Sequence, residues 1–160
     1  MENFTYTIPT TIYFGKGQVK QIGDIVSQYG KRVLLVYGGG SIKRNGIYDD
    51  VTAIFKENEI TYFELAGVEP NPRITTVRKG VEICRKENIE VVLPIGGGST
   101  IDLSLIHIYP LLNPSQKKNS CRLLIFIVSQ LTMKSIIVMM VYIQMQMEQP
   151  SSHKQSMTDL

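Results

Sequence analysis

The sequence predicts an α/β fold in which a parallel sheet has helices packed on its faces. Two short apolar runs, 33–37 and 91–95, each end directly in a glycine triplet. Apolar runs bounded by glycine are typical of strands buried inside a parallel sheet. Segments with apolar residues at helical spacing separate these runs along the chain. Because strands that alternate with helices form parallel sheets, the pattern predicts a sheet flanked by helices.

Each element follows from a local pattern. Gly30 is a stop signal for the first helical segment, and a helix after the second triplet is predicted to begin at Ser99 or Thr100. Pro70 and Pro72 exclude a helix between them, so this segment is predicted to be a stiff loop. The other predicted helices cover 19–29, 47–55 and 74–84, and the predicted strands cover 4–8, 11–14, 32–37, 61–65 and 91–95.

The two glycine triplets predict a ligand site at the carboxyl ends of the strands, where parallel sheets bind ligands. Consecutive glycines remove every Cβ, so a ligand can approach the backbone closely. The first N–H groups of a following helix carry partial positive charge and favour a phosphate. Two such units predict a dinucleotide in a Rossmann-like domain, with the pyrophosphate at the second triplet. The candidate cofactor-binding residues are Gly38, Gly39, Gly40, Ser41, Asn71, Gly96, Gly97, Gly98, Ser99 and Asp102.

The dinucleotide is either NADP or NAD. The G-x-G-x-x-G fingerprint is absent. A carboxylate at the end of the first core strand would hold the ribose diol of NAD, but the chain has Ser41 there, followed by Lys43 and Arg44. This favours tolerance of NADP. Purely structural roles stay open as alternatives to cofactor binding. In that interpretation the triplets are plain turns, Asn71 is a turn residue, and Asp102 is a charge that suits the start of a helix.

Composition changes abruptly after Asp102. All thirteen glycines lie in residues 1–102. Residues 1–102 carry twelve basic and twelve acidic residues, whereas the rest of the chain carries five basic and two acidic residues. The codons CTG-TCT-CTT-ATA-CAC-ATC encode the string 103–108 and match the end of a transposase-type sequencing adapter. We therefore interpret 1–102 as a partial dinucleotide-binding domain and 103–160 as a foreign or frame-shifted tail, unstructured or non-native. The alternative is a natural Leu- and Ile-rich strand.

Charge and composition disfavour several function classes. The balanced charge of residues 1–102 predicts no nucleic-acid binding. The first residues lack a basic region followed by an apolar segment, so we expect no secretory signal and a cytoplasmic protein. A membrane span over 123–143 is disfavoured because Lys134 would lie near its centre. Cys84 fits a buried thiol, and neither His107 nor His153 has a partner at metal-ligand spacing.

Four motifs carry a resemblance to a known family. The segments 9–17, 37–46, 68–72 and 96–102 resemble, in order and spacing, the iron-containing (group III) alcohol dehydrogenases, specifically their butanol dehydrogenase-like branch. The resemblance covers residues 1–102. It implies hydride transfer between NAD(P)H and a small primary alcohol or aldehyde, such as butanol or butanal. It also implies a homo-oligomer, and Fe²⁺ or Zn²⁺ held by one Asp and three His in an all-helical second domain.

The chain departs from the family pattern after Asp102. The family has a lysine three residues further on, where this chain has Leu105. No catalytic residue and no metal ligand can therefore be assigned, and the chain alone is predicted to be inactive. Two alternatives stay open: a stand-alone nucleotide-binding module, with or without a membrane tether, and a relative of glycerol dehydrogenases or dehydroquinate synthases.

Overall fold

A computed structural model describes residues 11–15, 17–112, 122–130 and 136–143. The predicted strand 4–8 and His153 lie outside these ranges. The strands are β1 (Ile12–Gly15), β2 (Arg32–Tyr37), β3 (Thr61–Leu65), β4 (Val91–Gly96), β5 (Arg122–Gln130) and β6 (Ile136–Ile143). The helices are α1 (Ile22–Ser27), α2 (Ser41–Arg44), α3 (Ile47–Glu57), α4 (Ile74–Lys86), α5 (Gly98–Asp102) and α6 (Tyr109–Leu112), with a 3-10 turn at Gln18–Gln21 and a π-helical segment at Leu103–Ile108.

The described strands form one sheet in the order β1-β6-β5-β4-β2-β3. Strands β3, β2, β4 and β5 are parallel, whereas β6 runs antiparallel to both β5 and β1. In the centre, Val33 is paired with Val91 and Tyr37 with Ile95. The predicted α/β fold with a parallel sheet is therefore confirmed, and β2 and β4 end at the same edge of the sheet.

Hydrophobic cores cover both faces of the central strands. Side chains of a strand point alternately to its two faces, so Leu35 packs towards α1 and α3, whereas Leu34 packs towards α4. The α1/α3 face includes Ile22, Val26, Ile47, Val51 and Phe55, and the α4 face includes Val77, Val81, Cys84, Leu103 and Ile108. The predicted burial of the Cys84 thiol is confirmed, since this side chain is 4% exposed.

The predicted helices over 47–55 and 74–84 are present as α3 and α4. The segment predicted as one helix over 19–29 differs, because it is a 3-10 turn followed by the six-residue α1. The backbone hydrogen bonds change from the 3-10 to the α-helical pattern near residue 22. The apolar face nevertheless stays continuous, since partly buried Val19 packs against the same core as Ile22.

Part of the chain beyond Asp102 is structured, so the expectation of an unstructured tail is wrong for its described elements. Leu103 and Ile108 are fully buried beneath α4. Further on, β5 pairs with β4, with Val91 opposite Arg122, and β6 pairs with β5. The pairing of β5 has a physical reason, because the backbone of β4 would otherwise form an unpaired edge of the sheet. The foreign or frame-shifted origin of 103–160 concerns the coding DNA and stays a prediction.

Candidate functional site

The two glycine turns meet at the carboxyl edge of the sheet. Gly38 follows Tyr37 of β2, and Gly96 follows Ile95 of β4. Tyr37 and Ile95 are paired across the two strands. The side chain of Thr100 lies between the turns: a Cβ on Gly96 would stand 3.0 Å from its Oγ1, and a Cβ on Gly38 would stand 3.9 Å from the same atom. The structure therefore places the two predicted halves of the site side by side.

The glycines at this edge of the sheet differ in why a side chain is absent. Gly96 (φ +154°) and Gly40 (φ +97°) have backbone conformations that L side chains rarely adopt. In contrast, a Cβ on Gly39, Gly97 or Gly98 would meet no atom within 4 Å. Packing therefore does not explain the latter three glycines, and their exposed backbone is open to a ligand. A dinucleotide phosphate fits such a surface, since no side chain separates it from the N–H groups.

The start of α5 differs from the predicted one. Gly97, in an extended conformation, precedes the first helical residue, and the N–H groups of Thr100 and Ile101 donate to its carbonyl oxygen at 3.1 and 3.3 Å. The helix was predicted to begin at Ser99 or Thr100, but Ser99 lies inside α5, and no side chain caps the helix. Gly97 takes the position of the capping residue but has no side chain, so no side chain caps the first N–H groups of α5.

The remaining sequence-predicted residues lie around this edge. Asn71 is exposed in the loop after β3, with φ +59°, a left-handed conformation that asparagine tolerates. The loop is tied to the site because the N–H of Val68 donates to the carbonyl of Tyr37 at 3.1 Å. Ser41 is the exposed first residue of α2, after Gly40. Asp102 is exposed at the end of α5, one turn beyond the glycines.

A polar cluster beside the first turn was missed by sequence reasoning. The hydroxyls of Tyr37 and Tyr48 donate to the two carboxylate oxygens of Glu64, the Tyr48 bond measuring 2.7 Å to Oε1. The Lys43 ammonium lies 4.5 Å from the ring centre of Tyr48 and 5.3 Å from that of Tyr37. We call these four residues the Glu64 cluster. The register of β3 on β2 is the signal that identifies this cluster. Glu64 lies opposite Leu35, so its side chain is on the α3 face of the sheet.

The Glu64 cluster shifts the pKa of each of its members. Burial raises the pKa of Tyr37, and the hydrogen bond to Glu64 raises it further. The hydrogen bond to Glu64 raises the pKa of Tyr48 well above its ordinary value. Burial alone would raise the pKa of Glu64, but the two hydroxyls and the charge of Lys43 together hold it below its usual range. Contact with Tyr37 raises the pKa of Lys43. The cluster therefore pairs a stabilised carboxylate with a stabilised ammonium.

A divalent metal does not fit the part of the chain that the structure describes. No group of three or more His, Cys, Asp or Glu side chains comes together there. His107 is exposed on the π-helical segment. Among the same residues, no helix is long and apolar enough to cross a membrane.

Two known proteins with NADH in their names are similar to this chain. It is 64% identical over 106 residues to NADH-dependent butanol dehydrogenase A of Clostridium acetobutylicum, covering 66% of this chain and 27% of that protein. The crystal structure of NADH-dependent butanol dehydrogenase A from Thermotoga maritima matches with a TM-score of 0.66 and 36% identity, covering 77% of this chain and 34% of that one.

A relative with a different cofactor in its name is less similar. NADPH-dependent butanol dehydrogenase of Clostridium saccharobutylicum is 42% identical over 97 residues, covering 61% of this chain and 24% of that protein. This chain thus spans about a quarter of the length of these curated relatives. The family model described as iron-containing alcohol dehydrogenase matches residues 9–128. The match extends past both glycine turns and includes most of β5, so this chain belongs to the iron-containing alcohol dehydrogenase family.

Proposed function

We propose that this chain is the nucleotide-binding part of an enzyme that transfers hydride between a nicotinamide cofactor and a primary alcohol or aldehyde. The observation that carries the proposal is the open backbone at Gly39, Gly97 and Gly98, on two adjacent strand ends. Membership of the iron-containing alcohol dehydrogenases supports the reaction class. The relatives' names support butanol and butanal as the substrate pair.

The proposed binding mode assigns each turn one part of the cofactor. Residues 96–99 would hold the pyrophosphate, because the start of α5 offers N–H groups that no side chain covers. Residues 38–41 would lie against the adenosine ribose, with Asn71 beside it and Asp102 at the far end of α5. The bound nicotinamide supplies the hydride acceptor or donor. This chain's own residues would bind the pyrophosphate and the adenosine end of the cofactor.

The complete activity is proposed to need a larger protein. The donor set for Fe²⁺ or Zn²⁺ would come from the three quarters of the relatives' length that this chain does not span. We therefore propose that the chain alone is inactive, and that the full-length enzyme is a homo-oligomer acting on small alcohols and aldehydes. Cytoplasmic location stays a prediction.

We further propose NADH as the preferred cofactor, with NADPH accepted more weakly. The most similar relative described above is named for NADH, and the less similar one for NADPH. The sequence-based argument for NADP depended on the absence of a carboxylate after β2, on Ser41 and Arg44, and on Lys43 being available to a 2′-phosphate. Its ammonium instead lies over the two tyrosine rings of the Glu64 cluster, which weakens that argument without excluding NADPH.

Calorimetric titration of the purified chain with 5′-AMP and with NADH tests the proposal. We expect saturable binding of both, and loss of both in Gly97→Val. Gly97 has an extended backbone (φ −90°, ψ −168°) that valine adopts readily, so the variant fills ligand space without straining the fold. Ala53→Val, at an exposed position of α3, is the matched control. Equal affinities in wild type and Gly97→Val, or no binding by a folded chain, would contradict the proposal.

A further inference from the structure

Lys43 begins close to the open backbone, and its ammonium lies over two tyrosine rings. It lies on α2, three residues beyond Gly40, and its side chain is exposed. Nevertheless, the ammonium is stacked over the rings of Tyr48 and Tyr37. An exposed lysine loses side-chain entropy in such a pose, so its neighbours must stabilise it. Cation–π attraction to two rings is one source of that stabilisation.

Glu64 supplies the second source. Its two carboxylate oxygens each accept one tyrosine hydroxyl, which fixes both rings in the orientation that Lys43 contacts. The rings meet edge to face, with centres 5.9 Å apart and planes at 64°. Contact with Tyr37 is the main cause of the raised pKa of Lys43, and the attraction of the Glu64 carboxylate for the ammonium adds to it. The negative charge of Glu64 thus offsets the one positive charge in the cluster.

This arrangement bears on the adenosine end of the cofactor, and the inference rests on the function proposed above. A 2′-phosphate on the ribose beside residues 38–41 would gain from a free lysine and lose from a nearby carboxylate. We propose that Glu64 is a specificity-determining residue: by fixing Tyr37 and Tyr48 it holds Lys43 away from the ribose, and its own charge repels a 2′-phosphate. It therefore disfavours NADP(H) relative to NAD(H) without contacting the nicotinamide.

Glu64→Gln removes the carboxylate charge and leaves one amide oxygen to accept from the two tyrosine hydroxyls, so it weakens both the repulsion and the positioning of the rings. The probes are adenosine 2′,5′-bisphosphate, which carries the 2′-phosphate, and 5′-AMP, which does not. In titrations of the full 160-residue chain, we expect Glu64→Gln to lower the Kd of the bisphosphate about fivefold, the scale of one solvent-screened charge interaction. We expect the Kd of 5′-AMP to change by less than about twofold.

Two further variants make the result specific. Glu82→Gln removes the same charge from an exposed site on α4, on the opposite face of the sheet, and should leave the ratio of the two Kd values unchanged. Adding Lys43→Met to Glu64→Gln should remove most of the gained affinity for the bisphosphate, since the released ammonium provides it. An NMR readout is independent of affinity: ring currents should shift the ε-methylene resonance of Lys43, and Glu64→Gln should reduce that shift.

The outcomes separate the inference from the proposed function. If wild type binds neither probe, the proposed nucleotide site fails, and the inference fails with it. If both probes bind and Glu64→Gln leaves their Kd ratio unchanged, the inference alone is overturned. Equal gains in Glu64→Gln and Glu82→Gln would also overturn it, because net charge rather than the cluster would then set the preference. An unchanged Lys43 resonance in Glu64→Gln would contradict the positioning step.

Discussion

Gly80 and Ile108 are packed so closely that a Cβ on Gly80 would stand 2.5 Å from Cδ1 of Ile108. The same Cβ would lie 3.0 Å from Cδ2 of Leu65. Gly80 is on α4, Leu65 ends β3, and Ile108 ends the π-helical segment, so three separate elements converge on the missing side chain. This contact joins the segment beyond Asp102 to the core of the preceding domain.

We expect Gly80→Ala to destabilise the chain by about 1–2 kcal/mol. Alanine in a helix normally gains about 0.5–1 kcal/mol over glycine, but overpacking a core costs about 1–3 kcal/mol. Urea unfolding monitored by circular dichroism measures the net effect. Lys79→Ala, the exposed neighbour on α4, is the control and should change little. Ile108→Val removes the Cδ1 atom and should relieve most of the cost in the double variant. Additive effects of the two substitutions would show that Ile108 does not occupy this place.

The contribution of Glu64 to stability should depend on pH. The folded-state pKa of this carboxyl is lowered from 4.5, so its stabilisation is fully present above the unfolded value and is lost as pH falls through the folded one. We expect the difference in Tm between wild type and Glu64→Gln to shrink towards zero as pH falls below 4.5. The effect is small because the carboxylate is partly exposed. Replacing both Tyr37 and Tyr48 by Phe should remove much of this pH dependence; a difference independent of pH would contradict the assignment.

The purified chain should not reduce butanal with NADH or NADPH, even when Fe²⁺ or Zn²⁺ is added. The described residues contain no donor cluster for a metal, and the chain spans 27% of its Clostridium acetobutylicum relative. The measurement is the loss of reduced-cofactor absorbance, with that full-length relative assayed alongside as the positive control. Metal-dependent turnover by this chain would refute the expectation and would place a complete active site within it.

The sequence allowed the strand ends and glycine turns to be predicted because their signals are local. An apolar run followed by glycines fixes β2 and β4, and both lie where the pattern put them. The start of α5 was placed wrongly because Ser99 has a capping side chain, whereas Gly97 takes that position through its backbone alone. Glycine leaves no side-chain signal for such a role.

The Glu64 cluster could not be predicted for a different reason. A single glutamate in a strand is typical of a solvated face, and its partners are far away in the sequence: Tyr37 is 27 residues before it and Tyr48 is 16. Only the pairing of β3 with β2 brings them together. The elements beyond Asp102 were missed because the break in composition was given more weight than the unpaired edge that β4 would otherwise have.

The last prediction concerns Gly39, whose missing side chain faces open space. If residues 38–41 hold the adenosine ribose, Gly39→Asp places a carboxylate where a 2′-phosphate would lie. We expect the variant to weaken binding of adenosine 2′,5′-bisphosphate by about 1–2 kcal/mol relative to 5′-AMP, the lower part of the range for a hydrogen bond to a charged group. Calorimetry of both ligands measures the ratio, and Gly39→Asn, with the same shape and no charge, is the matched control. An equal ratio in wild type, Gly39→Asp and Gly39→Asn would show that the ribose phosphate is recognised elsewhere on the chain.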